Sequence, residues 1–337
     1  MIRGSHGEEI PETFIGKPEG YPADLPPAEV KKRFLRLLGP FEKPEVPLNL
    51  RVTDETPLPG GVVRQRVVYD VARGESVPAY HMFLKGLPRE APGVLAIHGH
   101  GGEASMTAGK NHQTEPKPDD PVQHAYRAAL AGYRVLAPDA LLFGERRRLW
   151  GYSQFFWDEI IVQAELTGRG LSLAWKSVWD NSRAIEALEF LGARAIGAMG
   201  LSGGSTQTYI LTAANPKVRA GVCFQSFATL RHQFYQYKLA HCLYHYIPGM
   251  VAAGIDWDQV VATAAPRRLF LGRGGKDEGS PAVMCEAFVA AIERRCREEG
   301  LPPSVETFVE PDQGHTITEP MLASALRFLS ESLSPEK

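Results

Sequence analysis

The sequence predicts an α/β protein built on a mostly parallel sheet with helices on both faces. Beyond Pro92, short apolar runs alternate with longer helix-patterned stretches, and the runs are continuous rather than alternately apolar and polar. Strands buried on both faces need that continuity, and parallel neighbours need a helix-length return between them. The composition agrees. The 337 residues are 44% apolar and 23% charged, which excludes disorder and low-complexity architectures and allows one large domain or two smaller ones.

Residues 1–60 carry many prolines and charges and are expected to form an arm on a main domain spanning 61–337. The arm contains one expected helix, 28–38, with prolines at its start and Gly39-Pro40 as its stop. Strands 62–71 and 77–84, divided by a turn at 72–76, should form an antiparallel edge. Parallel strands are expected at 94–97, 134–137, 195–199, 220–224, 268–271 and 305–309. Helices are expected near 122–131, 176–191, 205–214, 282–299 and 320–333. Three stretches, 103–121, 141–175 and 227–257, break this rhythm. Each follows a predicted strand end, the rim at which open α/β sheets bind ligands.

Charge and cysteine usage narrow the function classes. With 37 Lys plus Arg against 39 Asp plus Glu, no basic surplus favours nucleic acid, and Arg146-Arg147-Arg148 is too short to supply one. No apolar run approaches the ~18–20 residues of a membrane span. The N-terminus lacks the apolar core of a secretory signal, although Arg3-Gly4-Ser5-His6 reads as a vector remnant that leaves a removed signal open. Cys223, Cys242, Cys285 and Cys296 form no CxxC and are expected as buried thiols of a cytoplasmic protein.

The strongest chemical signal is Gly200-Leu201-Ser202-Gly203-Gly204, a G-x-S-x-G with an apolar strand before it and a helical stretch after. A serine on such a turn projects above the sheet, and flanking glycines remove side chains that would collide. A glycine-rich turn with an incidental serine is the plain alternative; the strand and helix favour a nucleophile. The N–H of Gly203, at a helix start, is then one oxyanion donor. A serine nucleophile needs a base, and His315 lies in a polar loop between the last strand and the last helix. The base needs an orienting acid. Asp277 follows the strand at 268–271 and gives the order Ser, Asp, His, with Glu278 and Asp312 as rivals. The second oxyanion donor is expected from His98-Gly99-His100-Gly101-Gly102, at His100 with Gly101 as the near alternative. His98-x-His100 with Asp139 is also a conceivable metal set, and Asp139 otherwise a turn former. The loop lacks the Gly-Lys-Ser/Thr ending of a phosphate cradle.

These motifs, joined by Pro138-Asp139, Phe143-Gly144-Glu145-Arg146-Arg147, Tyr246-Ile247-Pro248-Gly249, Ala265-Pro266-Arg267-Arg268 and Gly275-Lys276-Asp277, occur in order. Together they resemble the α/β-hydrolase superfamily, in particular bacterial esterases of the dienelactone hydrolase and acetyl xylan esterase kind. The likeness runs from about Val62 to Leu333. It implies the α/β-hydrolase fold, a Ser202–Asp277–His315 triad, an oxyanion hole from the N–H groups of His100 and Gly203, and no cofactor. Dienelactone hydrolases proper carry cysteine where this chain has Ser202, and acetyl xylan esterases typically carry Gln where it has Gly203. The resemblance therefore implies ester cleavage without fixing the ester.

The aromatic residues of the insertions (Trp150, Tyr152, Phe155, Phe156 and Trp157; Phe234, Tyr235, Tyr237, Tyr244 and Tyr246) fit an acyl pocket wall, a self-packed lid or a homo-oligomer contact. Glu145 and Arg146 are expected as a structural ion pair at the rim. The functional expectation is a serine esterase with a small-molecule ester as its partner. The alternatives are an oligopeptidase-like amidase and a non-catalytic receptor on the same fold.

Overall fold

Nine strands form one sheet: β1 (Arg51–Pro57), β2 (Val62–Ala72), β3 (Glu75–Leu84), β4 (Pro92–Ile97), β5 (Arg134–Pro138), β6 (Arg194–Leu201), β7 (Val218–Phe224), β8 (Arg268–Gly274) and β9 (Val305–Glu310). The structure is a computed structural model. It describes residues 16–41, 45–101, 108–147, 157–237, 239 and 242–334, with the backbone of Ile2–Arg3 and Glu9–Ile10. The strand order is β9-β8-β7-β6-β4-β5-β3-β2-β1. Strands β4 to β9 run parallel, and β1 to β3 add an antiparallel edge through the β3–β5 pair. From β4 the chain passes to β5 on one side, then crosses to β6 on the other. The carboxyl ends of β4 and β6 thus flank a switch point, where open α/β sheets form ligand crevices.

Among the described residues, the helices of six residues or more are α1 (Pro27–Leu38), α2 (His124–Leu130), α3 (Trp157–Gly168), α4 (Leu173–Phe190), α5 (Gly203–Ala214), α6 (Trp257–Ala262), α7 (Ala282–Glu299) and α8 (Glu319–Leu333). Side chains alternate across a strand, so each parallel strand feeds two cores. In β4, Val94 and Ala96 join Val135 and Ala137 of β5 beneath α2 and α8, where Ala125, Ala129, Met321 and Phe328 are buried. Leu95 and Ile97 join Leu136 on the opposite face, with Ile185 of α4, Tyr209 of α5 and Phe288 of α7. Burial on both faces accounts for the unbroken apolar runs.

Helix α1 ties the arm down. Its stripe Val30, Phe34 and Leu38 is buried, and Phe34 meets Trp257 of α6 edge to face at 6.1 Å. Each such side chain contributes about 1.5–3 kcal/mol by leaving water. Asp256 caps α6 in a capping box with Gln259.

One difference from the sequence reading has a physical cause. Residues 51–57, placed in the arm by composition, are the outer edge strand β1, whose residues are almost all exposed. An edge strand that stays wet needs no apolar signal. The insertions also hold elements of their own: α3 in the second, and a π-helical turn Arg231–Tyr237 in the third. Among the described residues, no helix is long and apolar enough to cross a membrane.

Candidate active site

Strand β6 ends at Leu201 and α5 begins at Gly203, so Ser202 makes the whole turn with φ 58° and ψ −122°. A non-glycine residue held there stores about 1–3 kcal/mol of strain, which surrounding contacts must offset. The N–H of Ser202 donates to the Phe224 carbonyl at 2.9 Å, and its own carbonyl accepts from Thr206 at 3.0 Å. Its hydroxyl makes no capping bond to α5. The glycines are steric requirements. A Cβ on Gly200 would overlap the Gly204 backbone, and one on Gly204 would overlap the Ile97 carbonyl.

His315 and Asp277 meet at the same end of the sheet. His315 Nδ1 lies 2.8 Å from Asp277 Oδ2, while Oδ1 accepts the N–H of Gly279 at 3.0 Å. The Asp277 side chain is 2% exposed and that of His315 36%, so the carboxylate is sealed while the imidazole reaches the rim. Neither rival acid competes. Asp312 is 87% exposed and pairs with Lys276 at 3.0 Å, and Glu278 is exposed. Backbone bonds from Gly275 to Glu310 and from Lys276 to Gln313, both 2.8 Å, zip the Asp277 loop to the His315 loop.

The loop after β4 lies against the serine turn. A Cβ on Gly99 would crowd the Leu201 carbonyl and Ser202 Cβ, and one on Gly203 would overlap the His100 ring. His100 is buried, with Nε2 3.1 Å from both carboxylate oxygens of the wholly buried Glu159. Phe143 and Tyr244 flank the ring at 5.4 and 5.9 Å between centroids. The His100 ring is therefore a wedge between α3 and the start of α5, leaving its backbone at the switch point.

His98 takes a different part from its neighbour. Its Nδ1 donates to the Gly99 carbonyl and its Nε2 accepts the Ala140 N–H, both at 3.0 Å. Burial pushes the imidazole down to about 4, which keeps it neutral. Asp139 is spent as well: it accepts the N–H groups of Lys110 and Glu145 and pairs with Lys110 Nζ at 2.6 Å. His98, His100 and Asp139 do not converge as metal ligands. Asp139 is the turn former of the rim.

Glu145 and Arg146 do not pair with each other. Glu145 bonds Lys110 at 2.6 Å and Arg66, and Arg146 bonds Asp180 at 2.8 Å and Glu75 at 2.5 Å. Lys176 closes the second cluster on Glu75 and Asp180. Of the aromatic residues singled out, Trp150, Tyr152, Phe155 and Phe156 lie outside the described residues; Trp157, at the start of α3, is 46% exposed. Phe234 stacks on Tyr246 at 5.5 Å, Tyr235 meets Tyr21 of the arm at 6.2 Å, and Tyr244 packs on His100. These rings pack within the chain.

Two site residues carry no sequence signal. Glu159 meets its histidine 59 residues away from it in the chain, and Gln225 reaches Gly314 across 89.

A mostly parallel sheet with this strand order, a serine turn between β6 and α5, and the Asp277 and His315 loops after β8 and β9 define an α/β-hydrolase fold. The chain is 25% identical over 322 residues to the Bacillus subtilis (strain 168) protein called "Putative hydrolase YtaP", covering 91% of this chain and 99% of that one. Acetyl Xylan Esterase 1 from Thermoanaerobacterium sp. JW/SL YS485 superposes with a TM-score of 0.61 at 16% identity, covering 93% of this chain and 97% of that one. Glucuronoyl Esterase from Solibacter usitatus superposes at 0.63 with 15% identity, covering 90% and 92%. No family model matches.

Proposed function

We propose that the chain is a serine carboxylic-ester hydrolase acting on a small ester such as a sugar acetate, an aryl ester or a lactone. The observation that carries this reading is the 2.8 Å His315–Asp277 bond at the sheet end that holds Ser202 in its strained turn. The carboxylate fixes the Nδ1–H tautomer of His315, and Nε2 is left to take a proton. As Ser202 Oγ bonds to the ester carbonyl carbon, its proton passes to His315 Nε2. The oxyanion is met by the N–H groups of Gly203, at the start of α5, and of His100. The carbon–oxygen bond to the alcohol then breaks, and His315 returns the proton to the leaving oxygen. Water, deprotonated by His315, releases the acid from the acyl-enzyme.

The similar structures act on carbohydrate esters by name, which puts acetylated and uronoyl sugars first among natural candidates. The free, buried thiols of all four cysteines support a reducing, cytoplasmic setting. The test is hydrolysis of p-nitrophenyl acetate, butyrate and octanoate beside a peptide p-nitroanilide, by the wild-type chain and by Ser202→Ala. Ester turnover that vanishes in the variant supports the reading, and the chain-length profile sizes the acyl site. Preferential anilide cleavage would indicate an amidase; slow turnover equal in both proteins would leave no active serine.

A further inference from the structure

Gln225 directly follows β7 and is fully buried. Its φ is 63° and that of Ser226 is 61°, two successive non-glycine residues in the left-handed region. Residues with a Cβ stay there only where their surroundings hold them, and such residues gather at functional sites. Here the side-chain amide does much of the holding. Nε2 donates to the carbonyls of Gly314 at 3.2 Å and Thr316 at 2.7 Å, the two chain neighbours of His315. Oε1 accepts the N–H of Gly274 at 3.0 Å, at the end of the strand that leads to Asp277. The backbone N–H of Gln225 donates to Gly272 at 2.8 Å, and the preceding carbonyl, on Phe224, accepts the N–H of Ser202.

The dipeptide Phe224-Gln225 thus bonds the backbone of the nucleophile, the strand of the acid and both flanks of the base. A carboxamide has two N–H donors and a carbonyl acceptor on one planar group. Two carbonyls on one side and an N–H on the other call for that group in one orientation. A carboxylate would lack the donors, and an alkyl chain would lack both. Its burial leaves it no contact with substrate.

We propose that Gln225 is the positioning residue of the triad, acting through the loops of His315 and Asp277 to set their geometry against Ser202. The proposal rests on the esterase reading of those three residues. A buried glutamine with a merely structural role would change melting temperature and leave turnover per folded molecule intact.

The test compares Gln225→Leu, which removes both arms, and Gln225→Glu, which keeps the acceptor for Gly274 and loses the donors. Each is followed by thermal melting and by kcat and KM on p-nitrophenyl acetate. The low-field proton resonance of the His315–Asp277 bond is recorded for each protein. In folded variants kcat falls about 100-fold, the effect of a small misplacement of reacting groups, while KM stays within about threefold because binding contacts are untouched. The low-field resonance broadens or disappears. Folded variants that keep both kcat and the resonance would overturn the proposal. If neither variant folds, Gln225→Asn, which keeps the amide on a shorter arm, is measured in the same way: a folded variant with lowered kcat and a broadened resonance supports the proposal, and one with both intact overturns it. Fluorophosphonate labelling separates the two levels. No adduct on wild-type Ser202 removes the triad reading and this proposal with it; equal labelling rates in wild type and Gln225→Leu remove only this proposal.

Discussion

Two histidine–carboxylate pairs stand at the carboxyl end of the sheet, and they differ in one physical respect. His315–Asp277 has a sealed acid and a base 36% exposed, whereas in His100–Glu159 both side chains are enclosed, at 7% and 0%. A buried pair of this kind holds backbone in place, because any change of charge inside it must be compensated within the interior. A pair open at one end can pass a proton to a bound molecule. Access, rather than residue type, separates the two pairs.

The comparison is broken most forcefully by removing the open pair. Ser202→Ala or His315→Ala should lower kcat by about 10⁴–10⁶-fold, and Asp277→Asn by about 10⁴-fold through the wrong tautomer, in each case with little change in melting temperature. Ester hydrolysis followed with thermal melting checks this. The closed pair should respond the other way round. Glu159→Ala leaves His100 without its carboxylate and should cost about 3–5 kcal/mol of stability in a denaturant titration, with kcat down only about 10–100-fold as one oxyanion donor drifts. Equal losses of activity and stability in Asp277→Asn and Glu159→Ala would erase the distinction.

Gly203 sharpens it further. Acetyl xylan esterases typically carry Gln at this position, and here the His100 ring occupies the space a Cβ would need. Gly203→Gln should therefore displace the ring, lowering kcat about tenfold while the double variant Gly203→Gln, His100→Ala recovers part of it; kinetics on all three chains tests the coupling. The buried neutral histidines add a dependence on pH that leaves the triad comparison untouched. Burial holds His98 and His124 down to about 4 and His81 to about 3, below the ordinary 6.5 of the unfolded chain. Between those values the unfolded state binds more protons. Stability contributed above pH 6.5 is thus lost as pH falls toward 4. Denaturation midpoints at pH 7, 6 and 5 should decline in that order; a flat profile would contradict it.

What was legible follows the same division between signals that are local and signals that are not. The parallel core showed in continuous apolar runs, and the turn at Ser202 and the loops that bring Asp277 to His315 showed in motifs tied to strand ends. Strand β1 was hidden because a wet edge of Arg, Asp and Glu leaves no apolar trace. Glu159 and Gln225 were hidden because their roles exist only across long separations, once α3 has closed on His100 and β7 has threaded between the triad loops. The oxyanion-donor and metal readings of the β4 loop could not be separated in sequence either: the Ala140 N–H that occupies His98 Nε2 comes from 42 residues downstream.

The central claim, that the open pair serves Ser202 as a nucleophile, is tested most directly by intact-mass and peptide analysis after treatment with a fluorophosphonate. The account predicts one adduct per chain, on Ser202, absent in Ser202→Ala and slowed about 1,000-fold or more in His315→Ala. No adduct on the wild-type chain, or one that persists in Ser202→Ala at the same rate, would contradict it.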